Sequence, residues 1–283
     1  MGMCFGVRNA LKKVWGLGNS ADTALYGELV HNAEINRRLR ERGILQLDET
    51  SRNPGHPALR IVVTAHGISN RDRAQLASRG KILVDTTCPL VRRAHMAALS
   101  LQREGFFVVV VGKPDHVEVR GLVGDLEAFA IVQSASDVRE YCTEKIGVVS
   151  QTTTPPRILE EMWREIVAAN LGKETRLVDT ICRPTRDRQR SVLELCRKGI
   201  DALAVVGGSN SNNTTHLARL AESQGVRVLR VEAARDLRPD WFAGMEKVGL
   251  TAGTSALDST VDEVEQALRD LGERRERAAR MAS

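Results

Sequence analysis

Residues 83–88 read Leu-Val-Asp-Thr-Thr-Cys, and residues 177–182 read Leu-Val-Asp-Thr-Ile-Cys. Each stretch is an apolar, strand-like run that ends in a cysteine, followed within two residues by a proline and then by a helical pattern. A third cysteine, Cys4, also precedes a helical pattern, at a similar spacing along the chain. This recurring cysteine-to-helix unit predicts three similar α/β lobes.

The regions that follow the three cysteines also resemble one another. His31 follows Cys4, His116 follows Cys88 and Asn213 follows Cys182 at comparable distances. Further along, a polar loop closes an apolar run in each predicted lobe, at residues 64–67, 151–154 and 251–255. Three thiolates that converge with such loops would form a soft-ligand metal or cluster site with room for a substrate.

The chemistry of that site has alternatives at this point. An iron–sulfur cluster fits three separate thiolates best, but three cysteines and a histidine can also hold structural zinc. Zinc ligands usually come in close sequence pairs, which this chain lacks. The cysteines could also be purely structural. Cys142 and Cys196 lack the Asp-Thr-x-Cys setting, and we expect neither to be a ligand.

The length and composition of the chain limit the functional classes to which the protein could belong. A chain of 283 residues with 42% hydrophobic and 27% charged residues is long enough for two or three globular domains. Aromatic residues make up only 4%, which argues against a base-stacking nucleic-acid surface. The net charge of +5 suits an anionic substrate or an acidic protein partner. We expect no membrane segment and no signal peptide, and therefore a cytoplasmic protein with reduced thiols.

Short apolar runs alternate with helical patterns throughout, which predicts an α/β fold with mostly parallel sheets. The strand candidates are 60–64, 81–85, 106–111, 128–132, 145–149, 176–179, 202–206, 226–231 and 247–251. The helix candidates are 6–17, 31–42, 70–79, 89–104, 157–170, 186–198, 213–224 and 259–280. We place the three lobes at 1–88, 89–182 and 183–283. No strand candidate precedes Cys4, so the first lobe either lacks that strand or has it upstream of Met1.

Two polar segments carry candidate chemistry. Residues 207–215 read Gly-Gly-Ser-Asn-Ser-Asn-Asn-Thr-Thr between a strand and a helix. Such a loop either caps the helix in the ordinary way or cradles a phosphate on its backbone N–H groups. Residues 115–121 contain His116 and Glu118, which could transfer protons. In an extended loop, side chains two residues apart point the same way, so we expect both to face the site.

Together, these motifs make the chain resemble the 4-hydroxy-3-methylbut-2-enyl diphosphate reductase (IspH/LytB) family over nearly its whole length. The matching stretches are residues 4–7, 30–32, 65–67, 85–91, 116–121, 151–153, 181–182, 210–213 and 251–256. The chain departs from the family pattern at Val117, Asn212 and Leu257. The resemblance implies three quasi-equivalent α/β lobes in a trefoil around a central iron–sulfur site. It also implies reductive dehydroxylation to isopentenyl and dimethylallyl diphosphate, the terminal step of the non-mevalonate isoprenoid pathway.

The resemblance further implies roles for individual residues. Cys4, Cys88 and Cys182 would hold one 4Fe-4S cluster per chain, and Glu118 would donate a proton with help from Thr152 and His116. The residues that would bind the diphosphate substrate are His31, His66, His116, Thr152, Thr153, Thr185, Ser211, Asn212, Asn213 and Ser255. A ferredoxin or flavodoxin would supply electrons, and no nucleic acid or membrane partner is implied.

Two rival hypotheses come from other functional classes. A non-catalytic, cluster-binding paralogue acting as a sensor or scaffold would need the cysteines but not Glu118. A zinc hydrolase would use the same thiolates for another metal. We expect metal analysis and genetic rescue of a reductase-depleted strain to separate these alternatives.

Overall fold

The computed structural model describes residues 2–18, 22–48 and 55–282. In this part of the chain the helices are α1 (Phe5–Trp15), α2 (Ala33–Glu41), α3 (Asn70–Ser78), α4 (Pro89–Arg103), α5 (Val117–Val123), α6 (Pro156–Ala169), α7 (Arg183–Arg197), α8 (Asn212–Ser223) and α9 (Asp258–Ala282). None of them has the length and apolar character needed to cross a membrane.

The strands are β1 (Thr23–Leu25), β2 (Leu45–Gln46), β3 (Arg60–Val63), β4 (Ile82–Asp85), β5 (Phe107–Val111), β6 (Phe129–Val132), β7 (Lys145–Ser150), β8 (Glu174–Leu177), β9 (Ala202–Val206), β10 (Arg227–Val231) and β11 (Val248–Ala252). Nine of these correspond to the strand candidates, with β8 beginning two residues earlier than predicted. The short strands β1 and β2 and the helix α5 were not predicted.

The chain divides into two compact units. One unit spans Phe5–Arg186 and contains two four-stranded sheets, in the orders β2-β1-β3-β4 and β6-β5-β7-β8. The other comprises Met1–Cys4 and Asp187–Ser283 and contains a three-stranded sheet in the order β10-β9-β11. Every strand pair in the three sheets is parallel. The predicted parallel α/β class is therefore confirmed.

Strand β5 shows how the apolar runs specify buried parallel strands. Val109 and Val111 pack on one face of the sheet with Leu159 and Met162 of α6. Val108 and Val110 face the other way, towards α4 and α5. Side chains alternate between the faces of a strand, so a sheet covered on both faces needs apolar residues at every position. Each fully buried valine contributes roughly 1.5–3 kcal/mol relative to an exposed one.

The three-stranded sheet is covered in the same way within its own unit. Val206 and Ala252 pack on α9 through Val261 and Val264. On the other face, Leu203 and Val205 contact α7 and α8, and Cys196 packs at the margin of this cluster. Cys196 therefore packs beside the core of this sheet.

Segment 116–118 is not the extended loop that the sequence suggested. His116 caps α5, and its Nδ1 accepts a hydrogen bond from the backbone N–H of Glu118 at 3.1 Å. The alternation of valine with charged residues here mimics a strand, but Val119 and Leu122 are buried against α4. Packing therefore favours a short helix over an extended loop. The expectation that the His116 and Glu118 side chains point the same way relied on an extended backbone, so it no longer follows.

Candidate active site

The repeated Asp-Thr-x-Cys sequence forms the same turn twice. Asp85 Oδ1 accepts a hydrogen bond from the backbone N–H of Thr87 at 2.9 Å, and Asp179 Oδ1 accepts one from Ile181 at 3.1 Å. The hydroxyls of Thr86 and Thr180 donate to carbonyls of the neighbouring strands, each at 2.6 Å. The aspartate carboxylate thus stabilises the turn, and the threonine hydroxyl binds the turn to the neighbouring strand of the sheet. Both residues position the cysteine that follows.

All three candidate ligand cysteines share one backbone contact. The N–H of Cys88 donates to the carbonyl of Ala65, that of Cys182 to Thr152 and that of Cys4 to Thr254, at 2.9–3.0 Å. Each acceptor lies two residues beyond the end of a strand, which is β3, β7 or β11 respectively. Each cysteine is therefore seated at the carboxyl end of its own parallel sheet, the edge at which ligands bind in α/β folds.

The five cysteines differ in exposure. Cys4, Cys88 and Cys182 are partly buried, whereas Cys142 is exposed, and all five remain thiols. Thr185 is buried beside Cys182, with its Oγ1 3.1 Å from the Cys182 Sγ. Within the described residues, no three His, Cys, Asp or Glu side chains lie close enough together to ligate a single metal ion. A four-iron cluster is ligated differently, because each cysteine binds a different iron.

Three histidines form a compact group in the unit that spans Phe5–Arg186. The rings of His31 and His66 stack with centroids 4.4 Å apart, and the ring of His116 lies edge-on at 5.2 and 5.6 Å from them. They follow β1, β3 and β5, at the carboxyl ends of two parallel sheets. Three of the candidate substrate-binding residues therefore lie together in this unit.

The hydrogen bonds of His116 and His31 indicate which ring nitrogens can donate or accept a proton. Because His116 Nδ1 accepts a backbone N–H, its neutral ring carries the proton on Nε2 and can donate it to an anion. His31 Nδ1 lies 3.0 Å from Glu28 Oε2. Glu28 was not predicted as a site residue. A carboxylate three residues before a candidate histidine was the signal that could have identified it.

Glu118 is a buried carboxyl group, only 2% exposed. Its Oε1 accepts the backbone N–H of Thr152 at 2.6 Å, and its Oε2 accepts the Thr152 hydroxyl at 3.1 Å. Burial disfavours the charged form and raises the pKa of Glu118 to about 7. The two bonds from Thr152 and the nearby His31 act in the opposite direction, but their effect is smaller. The group is therefore poised to hold and release a proton near neutral pH.

The loop after β7 contributes the other predicted hydroxyls of this unit. Thr152 is buried against Glu118, and Thr153 accepts a hydrogen bond from the Gln151 side chain at 3.1 Å. The backbone N–H of Lys113 donates to Gln151 Oε1 at 3.2 Å, which links this loop to the one after β5. Gln151 was not predicted as a site residue, although it lies within the matching stretch 151–153.

In the other unit, the helix start at residues 211–214 is packed between two strand ends. Ser211 caps α8 and accepts the backbone N–H of Thr214 at 3.3 Å. A Cβ at Gly207 or Gly253 would come within 2.4 or 2.2 Å of Thr214 Oγ1, so only glycine allows this close approach. The glycines therefore bring the ends of β9 and β11 against the start of α8.

Asn213 has the strongest signature of a ligand-binding residue in this unit. It is 2% exposed, and neither its Oδ1 nor its Nδ2 has a hydrogen-bond partner among the described residues. Leaving buried polar groups unpaired is costly, so natural proteins keep few of them without a functional reason. The neighbouring Asn212 is partly buried, and Ser255 follows β11 and is buried.

Cys4 is fixed to the same unit by an arginine. The Arg188 guanidinium donates to the carbonyls of Ala252, at 2.9 Å, and Gly2. Burial lowers the pKa of Arg188 below its usual range. Arg188 thereby joins the segment before Cys4 to the end of β11, where Thr254 accepts the Cys4 N–H.

The profile of the LytB protein family matches residues 1–269. The chain belongs to the LytB family. It is 32% identical over 279 residues to the 4-hydroxy-3-methylbut-2-enyl diphosphate reductase of Aquifex aeolicus, covering 96% of this chain and 94% of that one. The corresponding reductase of Pelobacter propionicus is 36% identical over 268 residues, with 93% of each chain covered.

Solved structures agree with the family assignment. A structure of (E)-4-hydroxy-3-methyl-but-2-enyl diphosphate reductase, described as the terminal enzyme of the non-mevalonate pathway, is 31% identical with a TM-score of 0.67 and covers 95% of this chain and 96% of its own. The reductase from Plasmodium falciparum has a TM-score of 0.84, with 94% of this chain and 84% of that one covered. At 24% identity the latter supports the fold alone.

Proposed function

We propose that this LytB protein reduces 4-hydroxy-3-methylbut-2-enyl diphosphate to isopentenyl and dimethylallyl diphosphate. The allylic C–O bond breaks, the substrate gains two electrons and one proton at carbon, and the hydroxyl leaves with a second proton as water. The observation that carries this proposal is the buried Glu118, held by Thr152 and placed in the unit that also contains the three-histidine group. The LytB relatives with this activity support it.

The diphosphate is bound, in this proposal, by side chains that donate hydrogen bonds to anionic oxygens. In the unit with the histidines these are His31, His66 and His116, together with Thr152, Thr153 and Thr185. In the other unit they are Ser211, Asn212, Asn213 and Ser255. The unpartnered amide of Asn213 supports the second set, because a bound phosphate oxygen would satisfy its Nδ2.

Cys4, Cys88 and Cys182 are the residues we assign to a 4Fe-4S cluster. Their donor set fits the group, since each is a partly buried thiol fixed at a strand end by the same backbone contact. The Thr185 hydroxyl next to Cys182 provides a hydrogen bond of the kind that tunes thiolate ligands. When bound, the cluster supplies electrons to the substrate one at a time.

Glu118 holds the proton that the departing hydroxyl requires. A hydroxyl is a poor leaving group unless it is protonated as the bond breaks, and general acid catalysis contributes about 10²–10⁴-fold. With its pKa raised to about 7, Glu118 is about half protonated at pH 7 and increasingly protonated below it. His116 fixes the start of α5, which carries Glu118, and in this proposal its ring donates a hydrogen bond to the substrate.

The electrons come, in this proposal, from a ferredoxin or flavodoxin. The cysteines of this chain are free thiols, which persist in a reducing compartment, and we therefore assign the enzyme to the cytoplasm. A non-catalytic cluster protein would have no need of a buried acid. The presence of Glu118, buried and with two bonds to Thr152, favours the enzyme over the scaffold.

An anaerobic assay tests this function. The protein is reconstituted with iron and sulfide, reduced methyl viologen supplies electrons, and the products are identified by mass spectrometry. We expect viologen oxidation that depends on substrate, with both five-carbon diphosphates as products. A protein that carries its full cluster and does not turn over would refute the proposal, and zinc without iron or sulfide would favour the hydrolase.

A further inference from the structure

Two helices next to candidate cysteines are unusually basic. Helix α1 carries Lys12 and Lys13, and the first turns of α4 carry Arg92 and Arg93. Neither helix contains an acidic residue, although the chain has 36 of them. Positive charge is therefore concentrated on these two helices, although the net charge of the whole chain is only +5.

The basic side chains of the two helices meet at the turn before Cys88. Lys13 Nζ donates to the backbone carbonyl of Asp85 at 3.0 Å, and Arg92 and Arg73 form ion pairs with the Asp85 carboxylate at 2.8 and 3.0 Å. One aspartate is thus surrounded by three cations, which leaves an excess of positive charge. Residue 85 is the first of the Asp-Thr-Thr-Cys turn, so this charge lies beside the Cys88 backbone.

The same positive charge extends to the turn before Cys182. Arg93 donates to the backbone carbonyl of Asp179 at 3.2 Å, and Arg186 pairs with the Asp179 carboxylate. All of these contacts lie within the unit Phe5–Arg186. We define the basic face as Lys13, Arg73, Arg92, Arg93 and Arg186, which surround Asp85 and Asp179 for a net charge of +3.

An apolar side chain and a recess lie within this face. Met96 is 61% exposed and follows Arg92 by one turn of α4. A cavity of about 360 Å³ beside it is lined by Arg73, Arg92, His95 and Met96 among others. Transient electron-transfer interfaces are small, with a limited apolar centre and a charged rim. The basic face has this composition.

We propose that the basic face docks the electron donor, a small acidic redox protein. This inference rests on the proposed function, because only a redox enzyme needs such a partner. Electron transfer slows steeply with distance, and the face covers the two turns that hold Cys88 and Cys182. Opposite charges bring the partners together quickly and orient them, and salt weakens the attraction.

Charge reversal separates donor docking from catalysis. The probe is an acidic 2Fe-2S ferredoxin kept reduced by NADPH and its reductase, and the variant is Lys13→Glu with Arg93→Glu. We expect the KM for ferredoxin to rise at least roughly tenfold and its dependence on salt to flatten. Turnover with methyl viologen should stay unchanged or increase, because this reductant is itself cationic.

The matched control is Lys145→Glu with Arg164→Glu, which changes the net charge by the same amount as Lys13→Glu with Arg93→Glu. Lys145 is an exposed lysine at the start of β7, ion-paired with Glu174. Arg164 is an exposed arginine, ion-paired like Arg92, and it lies on α6, which covers the opposite face of the sheet from α4. We expect this variant to keep the parental KM for ferredoxin. Equal KM values for the Lys13/Arg93 variant and the parent would overturn the proposal. An equal increase in the Lys145/Arg164 control would also overturn it, since net charge alone would then explain the effect.

The design also separates this proposal from the proposed function. A parent protein that fails with methyl viologen refutes the reductase activity, whatever the donor does. In that case, ferredoxin binding to the cluster-loaded protein is measured by calorimetry at low salt. Weaker binding by the Lys13/Arg93 variant than by the Lys145/Arg164 control supports the docking face, and equal binding overturns it.

Discussion

Thr152 holds both oxygens of the Glu118 carboxyl group, through its backbone N–H to Oε1 and its hydroxyl to Oε2. Thr152 also accepts the backbone N–H of Cys182 at its carbonyl. One residue therefore positions the candidate acid and seats a candidate cluster ligand. This relationship makes the chemistry of Glu118 open to experiment.

The first prediction concerns pH. Because Glu118 must be protonated to act as an acid, kcat/KM should fall as the pH rises above about 7. Because the pKa is raised from its ordinary value of 4.5 to about 7 in the folded state, the free energy of unfolding should fall as the pH rises from about 4.5 to about 7. Difference infrared spectra of the parent and Glu118→Gln should show a protonated carboxyl band that disappears above about pH 7. A band already absent at pH 6 would contradict the assignment.

Replacing Thr152 with Val tests how the carboxyl group is tuned. The variant keeps the backbone N–H bond and loses the hydroxyl donor that stabilises the ionised form. We expect the pKa of Glu118 to rise further, so the alkaline limb of the rate profile should move to higher pH. Thr152→Ser retains the hydroxyl and serves as the control, with an unshifted limb. Identical profiles for Val and Ser would show that the hydroxyl does not act on Glu118.

Replacing the five cysteines one at a time should separate cluster ligands from cysteines that do not bind the cluster. Cys4→Ser, Cys88→Ser and Cys182→Ser should each lose the normal cluster spectrum and bound iron, because an alkoxide is a poor replacement for a thiolate. Cys142→Ser and Cys196→Ser are the controls and should retain both. Iron and sulfide analysis with electron paramagnetic resonance provides the measurement. Loss of iron in the Cys196 variant alone would show that the ligand assignment is wrong.

Asn213→Ala should weaken substrate binding without weakening the fold. A hydrogen bond to a charged group contributes about 1.5–3 kcal/mol, so the KM for the diphosphate should rise roughly 10- to 150-fold. The melting temperature should not fall, because the Asn213 amide has no partner among the described residues. Asn170→Ala is the contrasting variant, since this buried amide bonds Tyr141, Arg139 and Ile166. It should lower the melting temperature and leave KM unchanged.

The sequence predicted the sheets well because their strands are buried on both faces. Continuous apolar runs such as 107–111 and 202–206 have few other interpretations. Strands β1 and β2 are only three and two residues long, too short for any periodicity to appear. Their existence depends on pairing with β3 and with each other, which local sequence does not encode.

In the candidate site, too, some features could be predicted from the sequence and others depend on tertiary structure. The loop positions of His31, His66 and His116 in the sequence indicated three side chains that lie together in the structure. The helix α5 was missed because Val117, Glu118 and Val119 alternate like a strand, and only packing against α4 decides otherwise. The burial of Glu118, which sets its pKa, arises from tertiary structure and could not be predicted from a charged residue in a polar loop.

Turnover of Glu118→Gln tests the role of the buried acid most directly. The variant keeps the size of the side chain and removes its proton, and it is assayed with reduced methyl viologen beside the parent at pH 7. We predict normal iron and sulfide content, near-normal substrate binding and a rate at least roughly a hundredfold lower. A fully cluster-loaded Glu118→Gln that turns over at close to the parental rate would contradict Glu118 as the proton donor.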